Sequence, residues 1–406
     1  MSLMTDADGP MTALGLNEQL LEALLADVHA IIPYRLPGLL DRCARAMGLG
    51  GAAIYLVDLQ QRVLVPLEDQ DARLPVDGSM AGWAYRTTSV RIEDAQDELV
   101  VWVPLVDSAE RLGVLGVRAA TMDAVRLRRC RMLAHTLAMV VTSKRTYSDW
   151  FVARTRTQTM RTHTEMLRAF LPPRSVGTTS VISTGVLEPA YELGGDAFDH
   201  SLTRNILHTA IFDSMGHNLA SGLTTAVALA CCRNARRSNT DLPYLINDVD
   251  QELAQWLPDQ FCTGVVCRLN VETGVLRWCN CGHPAPLLIR NQRVLDKALE
   301  RPVQPPMGLP SLLGPGTERE VHETTLEPGD RVLLYTDGVT EARRGGDEFG
   351  LARFTDFIIR SAAAGQQPAE ILRLLIHDIL DHHANKLNDD ATILLVEWRP
   401  HGRTPT

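Results

Sequence analysis

The run Asn205-Ile206-Leu207-His208-Thr209-Ala210-Ile211-Phe212 leads directly into Asp213-Ser214-Met215-Gly216-His217, and then into the small-residue and apolar stretch Leu219 to Arg233. The first part reads as a buried strand, the second as a tight turn and the third as a helix. Working outward, Val181 to Leu187 is another apolar, β-branched strand, and Tyr244 to Trp256 a second helix. Val265 to Leu269, Val275 to Cys279 and Ala285 to Ile289 form a meander. Arg331 to Tyr335 and Thr392 to Trp398 read as buried strands, and Leu351 to Ala363 and Glu370 to His383 as helices. Strands in two batches with paired helices predict an α+β domain whose sheets lie sandwiched between helical layers.

The aspartates fall at strand ends. Asp196 follows Gly194-Gly195, Asp213 ends its strand, Asp337 closes the strand through Tyr335 and precedes Gly338, and Asp389-Asp390 stand before the last strand. An acid at the end of a buried strand is costly unless it is neutralised. Four that converged would repel one another by several kcal/mol, and hard cations are the simplest compensation. Oxygen-only ligands favour Mg²⁺ or Mn²⁺ over zinc. The alternative is that each aspartate caps its own turn.

The N-terminal part has a different pattern. Residues 1–15 are small and polar and predict a frayed tail. Helical periodicity from Leu16 to Met47 is interrupted at Pro33 and Pro37. Strands follow at Ala52–Val57, Arg62–Leu67, Val90–Glu93, Leu99–Val106 and Val114–Arg118, with a short helix at Ser79–Tyr85 and a closing helix from Met122 to Ser143. The strand Ala53–Asp58, the Gly82-Trp83-Ala84 turn, and Val103-Pro104-Leu105 followed by Gly113-Val114-Leu115-Gly116-Val117 resemble a GAF sensory domain over 16–142. That resemblance leaves room for a small-molecule ligand without identifying one, and Trp83 and Trp102 read as core residues, with a pocket lining as the alternative. From 143 to 173, Trp150, Ala153, Thr157, Met160, Thr164, Leu167 and Leu171 take heptad a and d positions, which predicts a signalling helix that makes the protein a homodimer. A single solvated helix is the alternative.

Composition narrows the classes. With 406 residues, 45% hydrophobic and 22% charged, the chain has room for two or three folded domains. A net charge of −9 with no basic block argues against nucleic acid as a main partner. No apolar stretch reaches the ~18–20 residues of a membrane span, and residues 1–12 lack a signal peptide's pattern. A cytoplasmic protein is the expectation. The eight cysteines include no CxxC pair and read as reduced, mostly buried thiols.

Five segments together carry a further resemblance. They are Glu192-Leu193-Gly194-Gly195-Asp196-Ala197-Phe198-Asp199, Asp213-Ser214-Met215-Gly216-His217, Cys281-Gly282-His283-Pro284-Ala285-Pro286, Tyr335-Thr336-Asp337-Gly338-Val339-Thr340-Glu341-Ala342 and Asn388-Asp389-Asp390-Ala391-Thr392. In this order they are similar to the motifs of bacterial PPM (PP2C-like) serine/threonine phosphatases, especially the stress-response and sporulation enzymes of partner-switching pathways. Met166 to Pro172 resembles the helix that opens such a domain. The resemblance implies an α-β-β-α sandwich over 174–400 and a catalytic centre with two Mn²⁺ or Mg²⁺ ions. Asp213 would bridge the ions, with Asp196 on one side, Asp337 and Asp389 on the other, and the Ser214 carbonyl as a further ligand. It also implies a phosphorylated anti-sigma-factor antagonist as substrate, with the N-terminal domain gating activity.

Ser214 replaces a glycine usual in this group, and Asn218 stands where glycine often follows the histidine. His217 is a candidate general acid or a helix-opening residue. His283 reads as structural, Asp390 as orienting its turn, and Glu192 and Asp199 as supports. Two other readings compete. Gly345-Gly346-Asp347-Glu348-Phe349 spells the diguanylate cyclase signature, but fewer than 60 residues follow it, where that domain needs about 80 or more. A phosphatase fold kept only as a binding module would be expected to have lost acidic ligands, and all four positions are acidic.

Overall fold

The computed structural model describes residues 31–400 except 70, 96–97, 217, 314–317, 341–342, 345–346, 349, 383–386 and 388. The tail at 1–15 and the helical reading from residue 16 to 30 lie outside the described residues. The chain divides into two units near Thr157.

In the first unit a 3-10 turn at Pro33–Arg35 leads into α1 (Leu36–Ala46). Pro37 starts this helix, sitting in the first turn where its missing N–H has no partner to lose. There follow β1 (Gly51–Val57), β2 (Val63–Pro66), β3 (Leu74–Pro75), α2 (Met80–Thr87), β4 (Arg91–Ala95), β5 (Glu98–Asp107), β6 (Glu110–Ala119) and α3 (Ala124–Arg145). The strands form one sheet in the order β3-β2-β1-β6-β5-β4. Alternation along β1 divides the core. Ile54 and Leu56 pack with Leu36 and Leu40 of α1 and Leu133 and Leu137 of α3, while Tyr55 and Val57 pack with Ala81, Ala84 and Tyr85 of α2. Trp102 is buried against Tyr55 at 5.6 Å and donates its Nε1–H to Glu93, and Trp83 lies under the Arg91 guanidinium.

The expected continuous helix over 143–173 is not observed. The described backbone has three separate helices there: α3 ends at Arg145, α4 spans Trp150–Thr155 and α5 spans Thr162–Phe170. Phe151 of α4 is buried in the first core, whereas Thr164 and Leu167 of α5 are buried in the second unit. The heptad residues serve two different cores, so the seam loses its basis as a coiled coil.

The second unit continues with β7 (Ser175–Gly177), β8 (Val181–Glu188), β9 (Ala197–Leu202), β10 (Ile206–Ser214), α6 (Leu219–Arg237) and α7 (Leu242–Trp256). Next come β11 (Cys262–Asn270), β12 (Val275–Cys281), β13 (Leu287–Arg290), β14 (Arg293–Leu295), β15 (His322–Thr325), β16 (Arg331–Tyr335) and the short α8 (Asp337–Thr340). The two-residue pair β17 (Arg343–Arg344) and β18 (Asp347–Glu348), α9 (Leu351–Ala363), α10 (Pro368–His382) and β19 (Ala391–Trp398) complete it.

One sheet has the order β15-β12-β11-β10-β9, the other β14-β13-β16-β19-β8-β7. Val332 and Leu334 of β16 and Leu394 and Val396 of β19 belong to the core that also holds Ile211, Val265 and Trp278 of the first sheet and Leu229 and Ile246 of the first helix pair. Leu333, Ile393 and Leu395 point the opposite way, onto Phe354 and Ile358 of α9 and Leu372 and Ile376 of α10. Period-two alternation in the second sheet thus places it between the other sheet and a helical layer. The domain is an α+β sandwich. All eight cysteines are unbonded and all but Cys43 are buried.

Candidate active site

Strand register gathers the acids. Phe212 pairs with Ala197, so Asp213 at the end of β10 and Asp196 before β9 stand at the same end of the first sheet. Tyr335 pairs with Ile393 in the second sheet, which brings Asp337, after β16, and Asp389-Asp390, before β19, to one end as well. The two ends meet. Thr336 and Thr392 of the second sheet donate their hydroxyls to Oδ2 of Asp196 at 2.8 and 2.7 Å. Asp390 Oδ2 accepts the backbone N–H groups of Gly194 at 2.6 Å and Asp196 at 3.2 Å. Asp390 therefore orients the Gly194–Asp196 turn from across the sandwich.

Two glycines permit this approach. A Cβ on Gly195 would lie 2.5 Å from the Ser214 carbonyl oxygen, and one on Gly338 would lie 2.0 Å from that of Asp390. Either contact would force the aspartate-bearing turns apart.

The acids act strongly on one another. Burial, then the charges of Asp337, Asp389 and Asp390, push Asp213 up to about 7, against a hydrogen bond with Asp196. Burial, then Asp390 and Asp213, hold Asp196 well above the carboxylate range despite its two threonine donors. Asp390 is raised to about 6, burial outweighing the amides that favour its charge. The leading influences on these three carboxylates, among the described residues, are burial, one another's charges and hydroxyl or amide donors. Among the described residues no three His, Cys, Asp or Glu side chains close into a metal cage. The set fits a hard cation by donor type and by the mutual repulsion of its buried carboxylates, with Asp196 buried, Asp213 and Asp337 half-buried and Asp389 exposed.

Other residues singled out from sequence have structural partners. His283 joins the two sheets next to the site: Nδ1 meets the Thr263 hydroxyl at 2.8 Å and Nε2 donates to the Tyr335 carbonyl at 3.0 Å. Thr263 is the register partner of Asp213. Asp199 is buried and paired with Arg236 at 2.6 Å and Arg233 at 3.3 Å. Glu192 is exposed. His217 lies outside the described residues.

Both departures at the turn after Asp213 are accommodated. Ser214 is buried, with its hydroxyl 2.5 Å from that of Thr225 on α6, and Thr225 in turn donates to the Gly195 carbonyl. Asn218 is the N-cap of α6: its Oδ1 accepts from Ala220 and Ser221, while Ser221 Oγ accepts the Asn218 N–H, forming a capping box. Sequence reasoning gave no role to Thr336, Thr392 or Thr225. The first two lie inside the quoted aspartate motifs, but Thr225 has no local signal.

Residues 204–399 match the family model described as Stage II sporulation protein E (SpoIIE). Protein IcfG of Synechocystis is 27% identical over 130 residues, which is 32% of this chain and 19% of that protein, so the match spans about a fifth of the relative's length. The structure of the RsbU and RsbW domains of Rv1364c from Mycobacterium tuberculosis has 24% identity and a TM-score of 0.45, covering 57% of this chain and 63% of that one. The SiaA-PP2C domain of Pseudomonas aeruginosa has 19% identity and a TM-score of 0.47, covering 58% and 94%. The Gly345–Phe349 sequence falls inside the matched segment, between α8 and α9, which leaves the cyclase reading without a domain of its own. The C-terminal unit carries a phosphatase domain of the SpoIIE family, of PP2C-like type.

Proposed function

We propose that the chain is a metal-dependent protein serine/threonine phosphatase of a partner-switching system. Its substrate is a phosphoserine or phosphothreonine on a regulatory protein of the anti-sigma-factor-antagonist kind. The observation that carries this reading is the mutual elevation of Asp196 and Asp213 at the meeting point of two sheets, where the charges of neighbouring aspartates outweigh the hydroxyl donors on Asp196. Asp213, Asp196, Asp337 and Asp389, with the Ser214 carbonyl, are the residues that would hold two Mn²⁺ or Mg²⁺ ions. When bound there, such ions would supply a more acidic water and positive charge for the phosphoryl oxygens. The chain's own part is positional. Asp390 fixes the turn that carries Asp196, Thr336 and Thr392 fix its carboxylate, and His283 pins the strand end before Asp337 to the strand beside Asp213.

The first unit serves in this reading as a GAF-like sensory domain that gates the second. No described helix is long and apolar enough to cross a membrane. The test is a Mn²⁺ and Mg²⁺ titration of phosphate release from a phosphoserine-bearing protein, on the full chain. Metal-stimulated release is expected, and none at saturating metal would overturn the reading.

A further inference from the structure

Asp196 is held asymmetrically. Its Oδ2 receives two hydroxyl donors, from Thr336 at 2.8 Å and Thr392 at 2.7 Å, and both threonines are fully buried. Each hydroxyl has one proton, and this oxygen is the nearer acceptor for Thr336, whose other acceptor, the Asp390 carbonyl, lies at 3.5 Å. The Thr336 oxygen is in turn fixed, because it accepts the Thr392 backbone N–H at 2.9 Å while the Thr336 N–H donates to the Thr392 carbonyl at 3.0 Å. Thr336 therefore cannot swing away without giving up the Thr392 N–H, whereas the Thr392 hydroxyl is held by Asp196 itself. Two donors on one carboxylate oxygen occupy its lone pairs and leave Oδ1 as the stronger donor toward a cation.

We propose that Thr336 and Thr392 are positioning residues that clamp Oδ2 of Asp196, so that this carboxylate meets a divalent ion through Oδ1 alone. The inference rests on the phosphatase reading above and adds to it the residues that set ligand orientation. The clamp also spans the sandwich, since its hydroxyls come from one sheet and its carboxylate from the other. Orientation of Asp196 is thereby tied to the approach of the two sheets. Partners that orient a ligand typically change metal affinity ~10–100-fold when removed.

The test is Mn²⁺ binding to the full chain, followed by the electron paramagnetic resonance signal of free Mn²⁺, alongside thermal melting in chelator. Thr336→Val and Thr392→Val keep shape and lose the hydroxyl, and each is expected to weaken Mn²⁺ binding by about tenfold or more. Thr336→Ser and Thr392→Ser keep the hydroxyl and are expected to bind within about threefold of the wild type. A role confined to fold stability predicts a lower melting temperature with unchanged Mn²⁺ affinity in the valine variants, and that result overturns the clamp. Should a valine variant not fold, the serine pair still decides, because a tenfold loss with the hydroxyl retained overturns it equally. Equal binding by wild type and valine variants sinks the clamp alone, whereas no Mn²⁺ binding by the wild type sinks the phosphatase reading with it.

Discussion

Ser214 and Thr225 place their hydroxyl oxygens 2.5 Å apart, and the same Thr225 hydroxyl donates to the Gly195 carbonyl. One helix residue thereby holds both the strand end that carries Asp213 and the turn that carries Asp196. Thr225→Val would leave a buried hydroxyl and a buried carbonyl short of a partner, at a cost of about 1–3 kcal/mol. Ser214→Gly leaves the Thr225–Gly195 bond intact and is expected to cost less, about 0.5–1.5 kcal/mol. Urea unfolding of the two variants should give that order, and the reverse order would contradict the arrangement.

Asp213 is costly where it stands. Burial and three neighbouring aspartates work against its charge. Asp213→Asn removes that repulsion, so stability measured in chelator is expected to be unchanged or higher. Metal-dependent hydrolysis of p-nitrophenyl phosphate is expected to fall by about three orders of magnitude, the scale on which loss of a charge-stabilising group acts. Full activity in this variant would remove Asp213 from the ligand set.

Two buried histidines set an acid limit on stability. Burial lowers His200 and His283 to about 4. Each ring donates from Nε2 to a carbonyl, of Pro173 and Tyr335 respectively, and takes a hydroxyl proton at Nδ1, from Ser183 and Thr263. Both are therefore neutral in the folded protein. An unfolded histidine titrates near 6.5, so between about 6.5 and 4 the unfolded chain binds more protons than the folded one. Stability is then full above about 6.5 and is lost as pH falls toward 4, by at most about 3 kcal/mol per ring. Urea midpoints from pH 7 to pH 4.5 should show this decline, and His200→Gln should flatten it by roughly one proton.

What could be read from the chain alone follows burial chemistry. Arg331–Tyr335 is apolar after its first residue and Val181–Leu187 is apolar at both ends with small Ser183, Thr184 and Gly185 between, and they correspond to β16 and β8. The strand β9 was not legible, because Asp199 and His200 interrupt Ala197–Leu202; their partners Arg233, Arg236 and Ser183 are distant in sequence. The linker pattern misled for a related reason. Threonines at heptad positions suit a weak helix pair as well as they suit helix ends in two separate cores, and the burial of Phe151 in one core and of Thr164 and Leu167 in the other unit distinguishes the two. The aspartates were legible because each stands in a turn motif. Their hydroxyl partners were not, since a threonine gives no sign of which distant carboxylate it will meet.

Phe151 offers a direct check on the linker. It is fully buried and packed with the first unit's core. Phe151→Ala is expected to cost about 3–5 kcal/mol, confined to unfolding of that unit. An exposed position in a solvated helix would show no such loss. Limited proteolysis, with the fragment resolved by mass, should show cleavage rising before Thr157 and not in the phosphatase domain.

Asp250 of α7 and Arg319 form an ion pair buried on both sides. Arg319 Nε and Nη2 reach the carboxylate at 2.9–3.1 Å, while Asp250 also accepts the Gly308 N–H at 2.8 Å and Arg319 reaches the Pro305 and Pro306 carbonyls. The pair ties the segment from Pro305 to Gly308 to the first helix pair. Arg319→Met leaves a buried carboxylate without its counter-ion and is expected to cost about 3–5 kcal/mol. Asp250→Asn keeps an acceptor for Gly308 and removes the charge, so the double variant should be less destabilised than the sum of the singles by about 1–3 kcal/mol. Additive losses in a urea-unfolding cycle would mean that the two charges do not depend on each other, and the segment would then be held by its backbone contacts instead.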